Sequence, residues 1–263
     1  MEKLYVIKIG GNIIENPSAL ENFLRNFSTI NYKKILIHGG GKDATKTAED
    51  RGIEQKFNEG RRITDSETLK IVDIVYTRLN RSIIDKLSEL GCPSKGFTGL
   101  NDKAISATKR APLNDIDYGF VGDISQVNGD YLSRILKDNE TPVLSPLVYS
   151  SETGYKLNTN ADTIAFNVSK SLTPFYEVHL VYCFELKGVL ENFEDKDSVI
   201  PEIIPTQYNS LKEKGIISKG MIPKLDNSFD AINAGVTTVR ICHANDLIGI
   251  INNGDAKGTI LKN

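Results

Sequence analysis

The chain has 263 residues, with 32 basic and 34 acidic side chains and a formal net charge of −2. This length can bury a large core, either as one α/β unit or as two lobes that share one sheet. The near balance of charge argues against nucleic acid or an anionic membrane as the main partner, because both select a basic face. A local basic pocket for a phosphate group is still compatible with it.

The three cysteines, Cys92, Cys183 and Cys242, are widely spaced and contain no C-x-x-C pair. This pattern favours buried free thiols in a reducing compartment over a disulfide framework or a zinc site. The sequence shows no signal peptide and no apolar run of membrane-spanning length. We therefore expect a cytoplasmic protein.

The first half of the chain predicts alternating strands and helices. A β-rich run at residues 4–9 stops at Gly10-Gly11, and a second run at residues 35–37 is followed by three glycines at residues 39–41. Alternation of this kind is typical of a mainly parallel sheet with helices on both faces, which binds ligands at the carboxyl ends of its strands. We expect one α/β body, possessing an amino-terminal lobe and a carboxyl-terminal lobe.

Helix signals punctuate the remaining sequence. Asn16-Pro17 predicts a helix start, and a second helix is expected at residues 42–51. A capping box beginning at Thr64 opens a long apolar stripe that ends before Gly91. Further strands are predicted at residues 120–121, 142–148, 178–184 and 238–241, and further helices at residues 129–137, 161–172 and 222–234.

Both glycine turns have the chemistry of an anion site. Lys8 lies on the first strand just before Gly10 and Gly11, where bare backbone N–H groups can approach anionic oxygens closely. The second turn places Gly40 and Gly41 at the next strand end. Neither turn fits the P-loop pattern or the G-x-G-x-x-G pattern, so a different α/β design is indicated.

Three further segments carry candidate residues. The Asn158-x-Asn160-Ala-Asp162 run could anchor a ligand or simply form an Asx turn and helix cap, and the residues alone favour neither. Lys224 lies in the first turn of a predicted helix, where a cation is unfavourable, and this makes it a functional candidate. The alternative is a solvated surface lysine. The guanidinium groups of Arg61 and Arg62 could bind carboxylates in a bidentate manner. The alternative is that both are exposed surface charges.

Together these segments resemble the amino acid kinase family, within it the acylglutamate kinases of arginine biosynthesis. The resemblance rests on K-x-G-G at Lys8, H-G-G-G at His38, G-x-R-x-T around Arg62, N-x-N-A-D at Asn158, and G-M-I-x-K ending at Lys224. It runs over nearly the whole chain. It implies a three-layer αβα sandwich of the carbamate kinase-like type, and phosphorylation of the γ-carboxylate of an N-acylated glutamate by ATP with Mg²⁺.

The resemblance also implies roles for particular residues. Lys8 and Lys224 would flank the transferring phosphoryl group, and Asp162 would hold both lysines. The residues expected to bind the acyl-amino acid are Gly40, Gly41, Arg62, Asn158 and Asn160. The residues expected to bind the nucleotide are Gly10, Gly11, Glu185, Lys187, Gly188, Ser218, Gly220 and Met221. No residue is expected to hold a metal directly.

The resemblance further implies a homodimer, with residues 1–175 binding the acyl-amino acid and forming the dimer and residues 176–263 binding the nucleotide. Arginine-inhibited relatives have an additional amino-terminal helix that links dimers into rings. Because this chain begins at its first strand, we expect no such feedback. One departure concerns the nucleotide site, since Phe184-Glu185 stands where the family usually has a Ser/Thr-Asp pair.

Alternatives remain open at this point. Arg61, Tyr155 and Lys156 could form a second anionic subsite for an N-succinyl group in place of N-acetyl. Another kinase of the family would act on aspartate, glutamate, carbamate or a nucleotide. A catalytically silent, effector-binding protein would be expected to lack a lysine or Asp162 of the set, and none is missing.

Overall fold

A long, mainly parallel sheet forms the centre of the computed structural model, which describes residues 1–58, 60–99, 104–217 and 221–263. The strands are β1 (Lys3–Ile9), β2 (Lys33–His38), β3 (Phe57–Asn58), β4 (Arg61–Arg62), β5 (Ser94–Phe97), β6 (Ile105–Lys109), β7 (Gly122–Val127), β8 (Thr141–Leu144), β9 (Leu147–Ser150), β10 (Lys156–Asn158), β11 (Glu177–Phe184), β12 (Glu202–Ile203), β13 (Thr238–His243) and β14 (Thr259–Leu261). The helices are α1 (Gly11–Glu15), α2 (Pro17–Ser28), α3 (Gly41–Glu49), α4 (Ser66–Glu89), α5 (Gly129–Lys137), α6 (Ala161–Leu172), α7 (Pro205–Glu213) and α8 (Ile222–Asn233).

Within the described ranges, the central sheet has eight strands in the order β12-β14-β13-β11-β1-β2-β8-β5. Its neighbours run parallel except for the β13–β14 pair, which is antiparallel. A second sheet has the order β10-β9-β6-β7, and β3 and β4 form a small hairpin. Strand β1 pairs with both β2 and β11, so the carboxyl ends of these three strands lie side by side.

Alternating side chains of the central strands pack helices onto both faces of the sheet. On one face, Val6 and Leu180 belong to the core formed with α5, α6 and α8. On the other face, Ile7 and Val181 pack with residues of α2 and α4. These buried runs on both faces are what a parallel sheet requires, and the predicted three-layer αβα sandwich is confirmed.

Several predicted elements need correction. The predicted strand at residues 142–148 is two strands in different sheets, β8 and β9, separated by Ser145-Pro146, since proline has no N–H to give to a ladder. The strand expected at residues 120–121 begins instead at Gly122. Helix α4 is capped by Asp65, whose side chain accepts from the Thr68 N–H at 2.8 Å, and Thr64 is not the cap.

The helices predicted at residues 129–137 and 161–172 coincide with α5 and α6. All three cysteines are buried and free. Among the described helices, none is both long and apolar enough to cross a bilayer. The division into lobes at residues 175 and 176 falls between α6 and β11 and stays a prediction.

Candidate active site

A cavity of about 520 Å³ opens at the carboxyl ends of β1, β2 and β11. This is the edge where the sequence places both glycine turns. The predicted site residues that line the cavity are Lys8, Gly10, Gly11, Gly40, Gly41, Arg62, Asn158, Asn160, Asp162, Glu185 and Lys224. Residues from both halves of the chain therefore meet at one site.

Two lysines share one carboxylate at the floor of this cavity. The Lys8 ammonium lies 2.9 Å from one oxygen of Asp162, and the Lys224 ammonium donates to the other oxygen at 2.5 Å. Lys8 comes from β1, Asp162 from the first turn of α6, and Lys224 from the first turn of α8. The three side chains are 11%, 21% and 11% exposed, so the group is largely shielded from water.

The electrostatics follow from this shared pairing. Burial acts to raise the pKa of Asp162, but the ammonium groups of Lys8 and Lys224 outweigh burial and hold the pKa far below its ordinary value. Burial lowers the pKa of Lys224 to about 8, with Asp162 opposing the change and Lys8 adding to it. The site thus holds two cations against one anion, and its net positive charge suits a phosphate-bearing ligand.

The first glycine turn lies close to the neighbouring strand. The Gly10 N–H donates to the Cys183 carbonyl at 3.0 Å, which ties the turn to the end of β11. A Cβ at Gly10 would lie 3.0 Å from the ring of Phe184, closer than ordinary contact allows. A side chain at position 10 would therefore have to displace this ring, whereas glycine lets the backbone and the ring approach each other.

The second glycine turn requires an unusual backbone. Gly40 has φ 131°, a region that L residues rarely adopt, and a Cβ there would lie 3.0 Å from the Tyr76 ring. Gly41 then begins α3, so free N–H groups of the first helical turn face the cavity. The buried His38 immediately before the turn hydrogen-bonds the Gly39 carbonyl at 2.8 Å.

Arg62 lies inside the cavity wall with much of its fork already engaged. Its guanidinium donates to the Gly41 carbonyl at 2.6 Å, to the Thr45 hydroxyl at 2.9 Å, and to Gln55. Its central carbon lies 4.8 Å from the centre of the Phe57 ring. Burial lowers the pKa of Arg62. In this structure Arg62 braces the second glycine turn while lining the cavity.

The two asparagines of the N-x-N-A-D run differ in role. Asn160 caps α6, since its side-chain oxygen accepts from the N–H groups of Asp162 at 2.7 Å and Thr163 at 3.4 Å. Asn158 is buried, and its amide donates to Thr64 at 3.1 Å. Its side-chain oxygen is buried and has no hydrogen-bond partner in the part of the chain that the structure describes. Asn158 thus has a buried acceptor that no described residue satisfies.

The predicted nucleotide residues are only partly brought to the cavity. Glu185 lines it and accepts a hydrogen bond from Asn12, whereas exposed Lys187 pairs with Asp197 and is not part of the lining. Gly188 is buried against Thr259 and Val199, where a Cβ would lie 2.7 and 2.8 Å from their side chains. Its glycine therefore has a packing explanation. Met221 precedes α8 and packs against the core. Ser218 and Gly220 lie outside the described residues.

The lining also includes residues that the sequence analysis did not assign to the site, among them Asn12, Lys42 and Phe184. The Lys42 ammonium pairs with Glu15 at 3.2 Å and hydrogen-bonds Asn12, whose amide in turn reaches Glu185. Both Asn12 and Lys42 directly follow the glycine turns in the sequence, and that adjacency was the available signal.

The second anionic subsite considered for a succinyl group is not assembled from all three expected residues. Arg61 lines the cavity. Tyr155 is 67% exposed, and Lys156 pairs with Asp73 at 2.6 Å; neither belongs to the lining. Of the three, Arg61 alone lies in a position to meet a ligand here.

This fold and this site define an α/β protein with a cavity at the carboxyl ends of its strands whose charge suits a phosphate-bearing ligand. The sequence matches the description "Amino acid kinase family" over residues 3–243. It is 52% identical over 262 residues to the acetylglutamate kinase of Cytophaga hutchinsonii, with 99% of each chain covered. It is 48% identical over 262 residues to the acetylglutamate kinase of Phocaeicola vulgatus, again with 99% of each covered. The chain belongs to the amino acid kinase family.

Solved structures agree with this fold. A crystal structure from Streptococcus mutans superposes with a TM-score of 0.79 at 27% identity, covering 98% of both chains. The carbamate kinase of Giardia lamblia bound to AMP-PNP superposes with a TM-score of 0.69 at 15% identity, covering 100% of this chain and 99% of the other. The carbamate kinase-like fold predicted from the motifs is confirmed.

Proposed function

We propose that this chain transfers the γ-phosphoryl group of ATP to the γ-carboxylate of N-acetyl-L-glutamate, a step of arginine biosynthesis. The observation that carries the proposal is the pairing of Lys8 and Lys224 on the two oxygens of Asp162 at the carboxyl ends of the strands. Full-length relatives at 52% and 48% identity that are acetylglutamate kinases support it.

The chain's own residues supply charge and position. Phosphoryl transfer places negative charge on the equatorial oxygens, and catalysis consists mainly of positioning and electrostatic stabilisation. Lys8 and Lys224 neutralise that charge from fixed positions, because Asp162 holds both. The N–H groups of Gly11 and Gly41 stabilise the phosphoryl oxygens or the acceptor carboxylate. A carboxylate is already ionised at pH 7, so the reaction needs no general base.

The acyl-amino acid end has a fitting acceptor and a fitting cation. An N-acylated amine has one N–H donor, which matches the unpartnered side-chain oxygen of Asn158 in the described part of the cavity wall. Arg62 and Arg61 face the same cavity and suit the α-carboxylate. Asn160 acts from its capping position by orienting α6 and hence Asp162. These residue roles are part of the proposal and depend on the proposed reaction.

Mg²⁺ would come with ATP, bound chiefly by phosphate oxygens and water. The donor set fits this arrangement, because both Asp162 oxygens are paired with lysines and Glu185 is the other carboxylate among the described residues of the lining. Among the described residues, no cluster of three or more histidine, cysteine, aspartate or glutamate side chains could hold a metal. When bound, Mg²⁺ supplies further neutralisation of the phosphates. Gly10, Glu185 and the start of α8 form the nucleotide side of the proposed site.

We further propose that the chain acts in the cytoplasm as a homodimer. The formal net charge of −2 favours a metabolic enzyme over a nucleic-acid-binding protein.

The test is formation of an acyl phosphate trapped as a hydroxamate by hydroxylamine, with N-acetylglutamate and N-succinylglutamate assayed in parallel. We expect product that depends on both ATP and Mg²⁺, with N-acetylglutamate preferred. Preference for N-succinylglutamate would assign the Arg61 side of the cavity to a second carboxylate. Absence of product from both, with ATP still bound, would refute the proposal and point to aspartate, glutamate or carbamate as acceptor. Absence of ATP binding would favour a silent effector-binding protein.

A further inference from the structure

Two aromatic rings at the end of β11 lie directly against the catalytic lysines. The Lys224 ammonium is 4.5 Å from the centre of the Tyr182 ring and 4.5 Å from the centre of the Phe184 ring. The Lys8 ammonium is 5.5 Å from the centre of the Phe184 ring. The two rings are nearly parallel, with an interplanar angle of 8° and centres 6.4 Å apart.

Strand register explains why Lys8, Tyr182 and Phe184 share one face, and Lys224 reaches them from α8. Lys8 on β1 is the direct partner of Tyr182 on β11, and Phe184 lies two residues further along the same strand. Residues two apart on a strand point to the same side. Tyr182 is fully buried, while Phe184 is half-buried and lines the cavity. Of the two rings, Phe184 is therefore the one that lines the cavity beside the lysines.

We propose that Phe184 is a positioning residue for phosphoryl transfer, holding the Lys224 and Lys8 ammonium groups against Asp162 through the face of its ring. This inference rests on the proposed function. A cation over an aromatic face is attracted by the ring quadrupole, and the attraction is strongest where water is excluded. Asp162 can neutralise only one of the two lysines, so the ring face contributes stabilisation for the remaining charge.

The Gly10 contact supports the same role. The ring lies so close to the first glycine turn that a Cβ at Gly10 would meet it at 3.0 Å. The ring thus lies against the turn and close to both lysines. A hydroxyl side chain at position 184 would provide no such face to the lysines.

The decisive variant replaces Phe184 with trifluorophenylalanine, which keeps the shape of the ring and weakens its quadrupole. Phe184→Leu removes the aromatic face, and Phe184→Tyr retains it. The first readout is the Lys224 ammonium titration in the free protein, followed by NMR of isotope-labelled lysine and assigned with Lys224→Met. Within the described residues, the charged or titratable groups facing Lys224 are Asp162 from α6, Lys8 from β1 and the Tyr182 phenol from β11.

We expect the trifluoro and leucine variants to move the midpoint of the Lys224 titration to lower pH by about half a unit to one unit. In the same variants kcat should fall about 3-fold to 10-fold, with a smaller change in KM, and its alkaline limb should move to lower pH. Phe184→Tyr should keep the Lys224 titration and kcat at their wild-type values. Trifluorophenylalanine in place of Phe193, whose exposed ring lies 3.7 Å from the Lys196 ammonium, is the matched control and should leave kcat unchanged.

An unchanged titration and unchanged kcat in the trifluoro variant would overturn the inference, because a ring that acts by packing alone tolerates fluorine. The wild-type protein could form no acyl phosphate while the variants still shift the Lys224 titration. That result would support the role of the ring on the lysines and refute only the proposed function. Unaltered melting temperatures in the trifluoro and tyrosine variants exclude misfolding as the cause of a loss.

Discussion

The buried imidazole of His38 accepts a hydrogen bond from the side-chain amide of Asn80 across 3.0 Å. The pair joins the end of β2 to the middle of α4. Because the amide donates to Nε2, the proton of the neutral ring is on Nδ1, which donates to the Gly39 carbonyl at 2.8 Å. The tautomer that Asn80 selects therefore fixes the entry to the second glycine turn.

Replacing Asn80 with alanine should loosen that turn. The change leaves a buried ring nitrogen and the Val143 carbonyl without the donor that now lies 3.0 Å from each. We expect a loss of about 1–3 kcal/mol in the free energy of unfolding, measured with urea, and a higher KM for the acyl-amino acid. Ser82→Ala on the exposed side of the same helix is the control. Unchanged stability would show that the His38–Asn80 contact contributes nothing.

Stability should decrease in mild acid because of His38. Burial lowers its pKa to about 4, although the Gly39 carbonyl opposes this. In the unfolded chain the pKa of His38 is about 6.5, so below that pH the unfolded chain binds a proton that the folded chain does not bind. Stability is therefore lost as pH falls. We expect about 2 kcal/mol of loss between pH 7 and pH 5. His38→Gln should remove that part of the pH dependence, and an identical pH dependence in both proteins would contradict the assignment.

Removing either lysine should nearly abolish turnover. Lys8→Ala or Lys224→Ala takes away one fixed cation from the developing charge, which typically costs ~10²–10³ in kcat. Lys137→Ala, an exposed position at the end of α5, should leave kcat unchanged. Steady-state kinetics at saturating ATP measures both effects. Near-full turnover in Lys224→Ala would mean that the mechanism is wrong.

The activity of the free enzyme should have an alkaline limit near the pKa of Lys224. Burial lowers that pKa to about 8, so the ammonium loses its proton as pH rises through this value. Since kcat/KM reports ionisations of the free enzyme, it should fall above about pH 8. Lys224→Arg should be slower but should lack this limb, because a guanidinium does not titrate there. A limb that persists in Lys224→Arg would assign the ionisation to another group.

Arg62→Ala should mainly weaken binding of the acyl-amino acid. Charge-assisted hydrogen bonds are worth about 1.5–3 kcal/mol each, which predicts a rise in KM of about 10-fold to 100-fold. Arg62→Lys keeps the charge but loses the fork to Gly41 and Thr45, so it should rescue only partly. A larger rise in KM for ATP than for the acyl-amino acid would place Arg62 on the nucleotide side.

Much of this fold can be predicted from the sequence where apolar periodicity and helix caps indicate the same element. The predicted bounds of α5 and α6 match the structure, in which the side chains of Asn128 and Asn160 cap the two helices. The break between β8 and β9 was missed, because a buried apolar run gives no sign of which sheet its halves join. Helix α7 was also missed, since it lies directly after a charged segment with little periodicity.

The site divides in the same way. Lys8, Asp162 and Lys224 could be found because each is part of a distinctive local pattern beside a strand end or helix start. The approach of Phe184 to Lys224 could not be found, since it depends on how β11 and α8 pack in three dimensions. The family pattern predicted a nucleotide role for Lys187, but the structure places it outside the cavity in a surface pair with Asp197.

The most direct test of phosphoryl transfer to a carboxylate uses N-acetylglutamate labelled with ¹⁸O in its γ-carboxylate. The enzyme is incubated with this substrate, ATP, Mg²⁺ and hydroxylamine, and the released phosphate is analysed by ³¹P NMR. Attack of the carboxylate on the γ-phosphorus puts a substrate oxygen into the P–O bond, and hydroxylamine then cleaves at the acyl carbon. Transfer to the carboxylate predicts inorganic phosphate that carries one ¹⁸O, whereas unlabelled phosphate would show that water is the acceptor and would refute this reaction.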